Sequence, residues 1–177
     1  EFVMQGSKKN KVKVLWCFDV GSSVEPYIER CLQIFSAAKS EFKHLEFYYF
    51  HNCIYESVWK NNSMRWEDKI PTLDILHKYN GDYKVIIVGD ATMSPYELTH
   101  TGGSIEHHND ESGTSWLNRL KEHFPYTVWI NPSSEAYWQG TKSIEIIQSI
   151  FPKRMFSMTM EGLSKAMKEL KGKKLRV

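Results

Sequence analysis

The sequence predicts a doubly wound, Rossmann-like α/β domain on a mostly parallel six-stranded sheet, with one antiparallel edge hairpin strand. Three observations lead there. Two runs, Val14–Phe18 and Tyr83–Val88, are apolar at nearly every position, as in strands covered on both faces. Strand-like and helix-like segments alternate along the chain, the order expected of parallel strands joined by crossover helices. The runs Leu45–Phe50 and Ile54–Trp59 are separated only by His51-Asn52-Cys53. That connection is long enough for a hairpin and too short for a parallel crossover.

Each element has its own signal. After the opening strand, Ile28, Cys31, Leu32, Phe35, Ala38 and Phe42 recur at helical spacing. The hairpin follows, and then Asn61–Tyr79, which reads as a polar loop leading into a short helix, Leu73–Tyr79, with Thr72 as its cap. The strand Tyr83–Val88 breaks off at Gly89-Asp90, and Ala91–Gly113 reads as a long polar loop. Trp116, Leu117, Leu120 and Phe124 mark one face of an amphipathic helix. A strand at Thr127–Ile130 stops at Asn131-Pro132, and Ile144, Ile147 and Ile150 stripe a helix over Ser143–Phe151. A short strand, Met155–Met158, precedes a last helix, Met160–Leu170, and a basic tail. Trp16, Tyr48, Phe50, Trp116 and Trp129 are expected in the core. Trp59, Trp66, Tyr96 and Trp138 fall in or beside loops and are candidate partner contacts.

Composition narrows the class. A chain of 177 residues with 41% hydrophobic and 14% aromatic residues is the size of one domain and can bury a substantial core. Residues 1–10 carry no pattern and read as a tag, linker or upstream remnant; 11–177 read as one domain. A formal charge of +2 is too small to point to nucleic acid. No apolar run approaches a membrane span of about 18 residues, and no signal peptide is visible. Three cysteines, Cys17, Cys31 and Cys53, show no metal spacing. Read as buried free thiols, they point to a reducing, cytoplasmic compartment.

The functional signal lies where the two most apolar strands end, in Asp19 and Asp90. Ligands of open α/β sheets bind outside the carboxyl ends of strands, at the point where strand order reverses. If the two strands are neighbours, both carboxylates meet in one crevice. Ser22 and Ser23 lie just beyond Asp19, and Thr72 heads a helix expected to start on the same edge. Two carboxylates and hydroxyls form a hard oxygen set, suited to Mg²⁺ with Mn²⁺ as a substitute. Each residue also has a plainer role: Ser23 and Thr72 as helix caps, Asp90 as a turn former. His100, His107, His108, Asp110 and Glu111 raise a second possibility, zinc, but no regular spacing fixes a tetrahedron. A polar rim loop is the simpler reading of that segment.

Asp19-Val20-Gly21-Ser22-Ser23 resembles the DxSxS signature of von Willebrand factor A (VWA) domains. Thr72 matches the threonine of that family's second loop, and Asp90, in Val88-Gly89-Asp90, the aspartate of its third. The segments VGDATMSPYEL, GGSIEHHNDESG and WINP resemble bacterial CoxE-like VWA proteins, some of them associated with MoxR-type AAA ATPases. The resemblance covers the chain from about Val12 onward. It implies a metal-ion-dependent adhesion site (MIDAS) with Asp19, Ser23, Thr72 and Asp90 as metal residues. It also implies a non-enzymatic protein-binding module whose partner, an AAA ATPase or its client, offers an acidic side chain to the cation. Gly21 stands where the family has its first serine, which removes one oxygen and implies weak binding of Mg²⁺ or Mn²⁺. The alternative is a Mg²⁺-dependent hydrolase or phosphotransferase using Asp19, although Gly21 occupies the place of the second Asp in the DxDx[TV] pattern of aspartate-nucleophile phosphatases.

Overall fold

The computed structural model describes residues 12–21, 29, 33 and 42–172. Seven strands form one sheet in the order β4-β3-β2-β1-β5-β6-β7. They are β1 Val12–Asp19, β2 Phe42–Phe50, β3 Ser57–Trp59, β4 Lys69–Pro71, β5 Lys84–Val88, β6 Thr127–Asn131 and β7 Met155–Ser157. The described helices are α1 Thr72–Lys78, α2 Pro95–Thr99, α3 Gly113–His123, α4 Lys142–Ile150 and α5 Met160–Leu170. The helix expected between β1 and β2 falls outside the described residues, apart from Glu29 and Gln33, which are helical.

The two most apolar runs are adjacent and parallel: β1 pairs with β5 from Val14↔Lys84 to Phe18↔Val88. β1 occupies the centre, with β2 parallel on its other side. Alternation along β1 divides the core. Leu15 and Cys17 join a cluster with Tyr48, Ile87, Trp129 and the apolar stripes of α3 and α4. Val14, Trp16 and Phe18 face the other way, against Ile86, Val128 and the α5 residues Leu163, Ala166 and Leu170. Trp16, Tyr48, Phe50, Trp116 and Trp129 are all buried. So are Trp59 and Trp138, placed in the core rather than at a partner surface, whereas Trp66 and Tyr96 are exposed.

The sheet departs from expectation on its β2 side. The antiparallel partner of β2 is shorter than Ile54–Trp59: β3 begins at Ser57 and pairs with β2 at Tyr49↔Trp59. Ile54 and Tyr55, each 1% exposed, turn into the core instead of extending the ladder. A seventh strand, β4, pairs antiparallel with β3, so two short strands rather than one close that side. Its Lys-Ile-Pro sequence gives no apolar run, and Pro71 suits an edge because it has no N–H to offer. The segment Ala91–Gly113 also contains helix α2. Its start, Ser94-Pro95-Tyr96-Glu97, is a capping pattern with proline at the first turn, and Ser94 Oγ accepts the Tyr96 N–H.

Candidate functional site

Asp19 and Asp90 come together because β1 and β5 end side by side. Asp19 is 1% exposed. Its Oδ1 accepts two backbone N–H groups, from Gly21 at 2.9 Å and Asn52 at 3.0 Å. Its other oxygen lies against the backbone of Gly89: a Cβ on Gly89 would stand 3.2 Å from Oδ2 and 3.0 Å from the Asp19 Cβ. A Cβ on Gly21 would likewise sit 3.2 Å from Oδ1. Glycine on both sides therefore leaves the carboxylate a cradle that any larger residue would fill. The Gly21 that departs from the DxSxS signature is part of this cradle.

Burial pushes the Asp19 carboxyl up to about 6, and the charge of Asp90 acts in the same direction, against the two backbone hydrogen bonds. Asp90 is half-buried, with Oδ1 accepting the Thr92 N–H at 2.9 Å. Its carbonyl is held by Asn131 Nδ2 at 2.9 Å, which ties the end of β5 to the end of β6. The next residue, Ala91, is fully buried with φ +59°, and its carbonyl accepts the Ser143 hydroxyl of α4 at 2.7 Å. A non-glycine residue in this left-handed region is strained, and it fixes the direction in which the chain leaves β5.

The other predicted metal residues stand differently. Ser23 lies outside the described residues. Thr72 is the first residue of α1 rather than its cap, since Pro71 holds the cap position. Its hydroxyl donates to the Tyr55 carbonyl at 2.5 Å and its N–H to the Glu56 carbonyl at 2.8 Å. The side chain is 2% exposed and lines a small apolar cavity with Leu15, Cys17, Tyr48 and Phe124. Thr72 thus secures the strand-to-helix junction, and its proton is committed to a backbone carbonyl.

Two residues that sequence reasoning passed over complete the crevice. Asn52 lies just past β2 with φ +56°. Its N–H reaches Asp19, and its side-chain amide donates to both oxygens of Glu97, at 3.2 and 3.1 Å. Glu97, on α2, is 2% exposed. An N3 glutamate after Ser-Pro ordinarily reads as a cap-box acceptor reaching back to its own helix start; here it reaches across to Asn52.

The segment His100–Glu111 forms a folded rim above this edge. Asn109, fully buried, donates to the carbonyls of His100 and Glu111 and accepts the Ser104 N–H. Glu56 Oε1 accepts the N–H groups of Asp110 and Glu111 at 2.8 and 3.1 Å, and Glu106 pairs with Arg65 at 3.1 Å. The histidines point to separate partners: His100 to Thr99, His107 to Glu56, His108 to Asp110. Among the described residues, no group of three or more His, Cys, Asp or Glu side chains is arranged to hold a metal ion. The zinc possibility thus gains no geometry. The Asp19–Asp90 pair falls short of such a group by its number of carboxylates, and its fit to a cation rests on the cradle and on a second carboxylate close enough to act on the first.

Cys17 and Cys53 are buried free thiols, and burial raises both above the ordinary thiol range, Cys17 to about 12. Among the described residues, no helix is long and apolar enough to cross a membrane. No family model, curated protein or solved structure matches the chain.

Proposed function

We propose that the domain is a metal-dependent protein-binding module of the VWA type, with Asp19 and Asp90 as the carboxylates that hold Mg²⁺ or Mn²⁺. The observation carrying this reading is the enclosed Asp19 carboxylate in its glycine cradle, set beside Asp90 at the junction of β1 and β5. Desolvated carboxylates without a cation are costly, and a divalent ion offsets that cost. When bound, the cation supplies an open coordination position that an acidic side chain of a partner can fill. Ser23 would add a hydroxyl. Thr72 would reach the ion only through the oxygen lone pairs left free by its bond to Tyr55.

The surface around the crevice supports binding rather than turnover. Tyr96, Ile105, Tyr137 and Met160, between 64% and 75% exposed, all lie in connections that leave the carboxyl ends of β5, β6 and β7. Large exposed apolar groups on the connections that leave this end of the sheet suit a protein partner. Among the described residues, Asp19 takes its hydrogen bonds from backbone N–H groups, which hold the carboxylate in place, and the charge of His51 acts on it from nearby. We read the partner as an AAA ATPase of the MoxR type or its client, as for CoxE-like proteins, and the compartment as the reducing cytoplasm, in keeping with the buried thiols.

Titration calorimetry with Mg²⁺ and Mn²⁺ tests the site, and a pull-down of candidate partners with and without chelator tests its use. The native domain is expected to give heats that Asp19→Ala and Asp90→Ala abolish, and capture that chelator reverses. Equal heats from native and variant proteins would remove the metal from the reading. Metal-dependent turnover of generic phosphoesters would favour the hydrolase alternative.

A further inference from the structure

Asn52 joins two buried carboxylates that belong to different elements. Its backbone N–H is on Asp19 Oδ1, at the end of β1, and its side-chain amide is on both oxygens of Glu97, in α2. To do both, it takes a left-handed conformation, φ +56°, which costs most residues about 1–2 kcal/mol and asparagine less. Glycine would occupy that backbone freely; what asparagine adds is the amide. The amide's orientation is dictated by its neighbour, because swapping it would set Oδ1 against the Glu97 carboxylate.

We propose that Asn52 is a positioning residue for the metal centre, clamped by Glu97 so that its N–H holds the Asp19 carboxylate in the orientation that faces Asp90. The inference rests on the proposed metal-binding reading. Glu97 is 2% exposed, and among the described residues both hydrogen bonds of its carboxylate go to Asn52. Burying a carboxylate to hold a single amide is an expensive way to anchor a turn, and it is explicable if the turn must not drift. The clamp is itself fixed from behind: the Tyr55 hydroxyl donates to the Glu97 carbonyl at 2.9 Å, and Gly113 of α3 packs so closely that a Cβ there would come within 3.0 Å of the same oxygen. Outer partners that orient a metal ligand commonly control affinity by one to two orders of magnitude.

The test combines two readouts on the native domain and on Glu97→Ala, Glu97→Gln and Asn52→Gly. The first is the position-52 amide proton in a ¹H–¹⁵N spectrum, which reports the charge-assisted bond to Asp19 without any metal. The second is Mn²⁺ affinity by electron paramagnetic resonance. Glu97→Ala and Asn52→Gly are expected to move the amide upfield and weaken Mn²⁺ about tenfold. Glu97→Gln keeps an acceptor for the Asn52 amide and is expected to restore both towards native values. If Glu97→Ala fails to fold, Asn52→Gly, which can enter the left-handed backbone without strain but has no amide for Glu97 to hold, decides alone. An unchanged amide and unchanged affinity in the folded variants would overturn the proposal, as would a Gln variant that behaves like the Ala variant. A native domain with no Mn²⁺ affinity whose amide still responds would retain the clamp and discard the metal reading instead.

Discussion

At the end of β1 the enclosed Asp19 carboxyl links pH to stability. Its value of about 6 in the folded chain stands above the 3.8 of an unperturbed aspartate. Below the lower value the group is protonated whether folded or unfolded and is neutral in its effect. As pH rises through the interval, the unfolded chain ionises first and stability falls, the cost becoming complete above about 6 at roughly 3 kcal/mol. Asp19→Asn keeps an oxygen for the Gly21 and Asn52 N–H groups and removes that cost. In chelator at pH 7 its melting temperature should exceed the native value by several degrees, the gap closing towards pH 4. A native domain that melts higher at pH 7 would show that the carboxylate is already compensated. Thr72 makes the opposite case: Thr72→Val leaves the Tyr55 carbonyl without its donor and should cost about 1–3 kcal/mol. Mg²⁺ heats reduced to nothing in a folded Thr72→Val domain would show that the Thr72 oxygen serves the ion as well as the Tyr55 carbonyl. Asp19 and Asp90 were legible in the sequence because each ends an apolar run. Asn52 and Glu97 were not, since they meet across 45 positions and neither sits in a motif.

Helix α5 shows how an element can contradict its own propensities. Glycine inside a helix is ordinarily worse than alanine by about 1 kcal/mol, so Gly162→Ala should stabilise α5 if propensity decides. Yet a Cβ there would stand 2.0 Å from the Ser157 carbonyl oxygen of β7, backbone against backbone. Gly162→Ala is therefore expected to destabilise by about 1–3 kcal/mol, as overpacking does, and thermal melts with circular dichroism check the sign. A stabilised variant would mean that α5 can lift from the sheet at little cost. The long, strongly patterned elements could be read in advance: β1, β5, β6, α3, α4 and α5 lie close to where periodicity puts them. The short ones could not. β4 and α2 span 3 and 5 residues, too few for a period to show, and both exist because neighbours supply partners, β3 for one and α3 and α4 for the other. The Ser94-Pro95-Tyr96-Glu97 cap was the available sign of α2.

For the molecule as a whole, the proposed cation is a ligand of the folded state and should raise stability by mass action. With 10 mM Mg²⁺ and a dissociation constant on the order of 1 mM, as weak binding implies, the gain is about 1.4 kcal/mol, a melting shift of about 3–6 °C. Asp19→Ala should show no shift, and the native shift should fade below about pH 6, where the folded Asp19 holds its proton. A shift of equal size in the variant would assign the effect to salt rather than to the site. The rim has a consequence for timing. Because His100–Glu111 is wrapped around the buried amide of Asn109 and pinned at its base by Glu56, it presents a finished surface before any encounter. A partner that docks on it need not wait for a loop to fold, so association should proceed in one kinetic phase whose rate scales linearly with partner concentration. Differences among related partners should then appear in how long they stay.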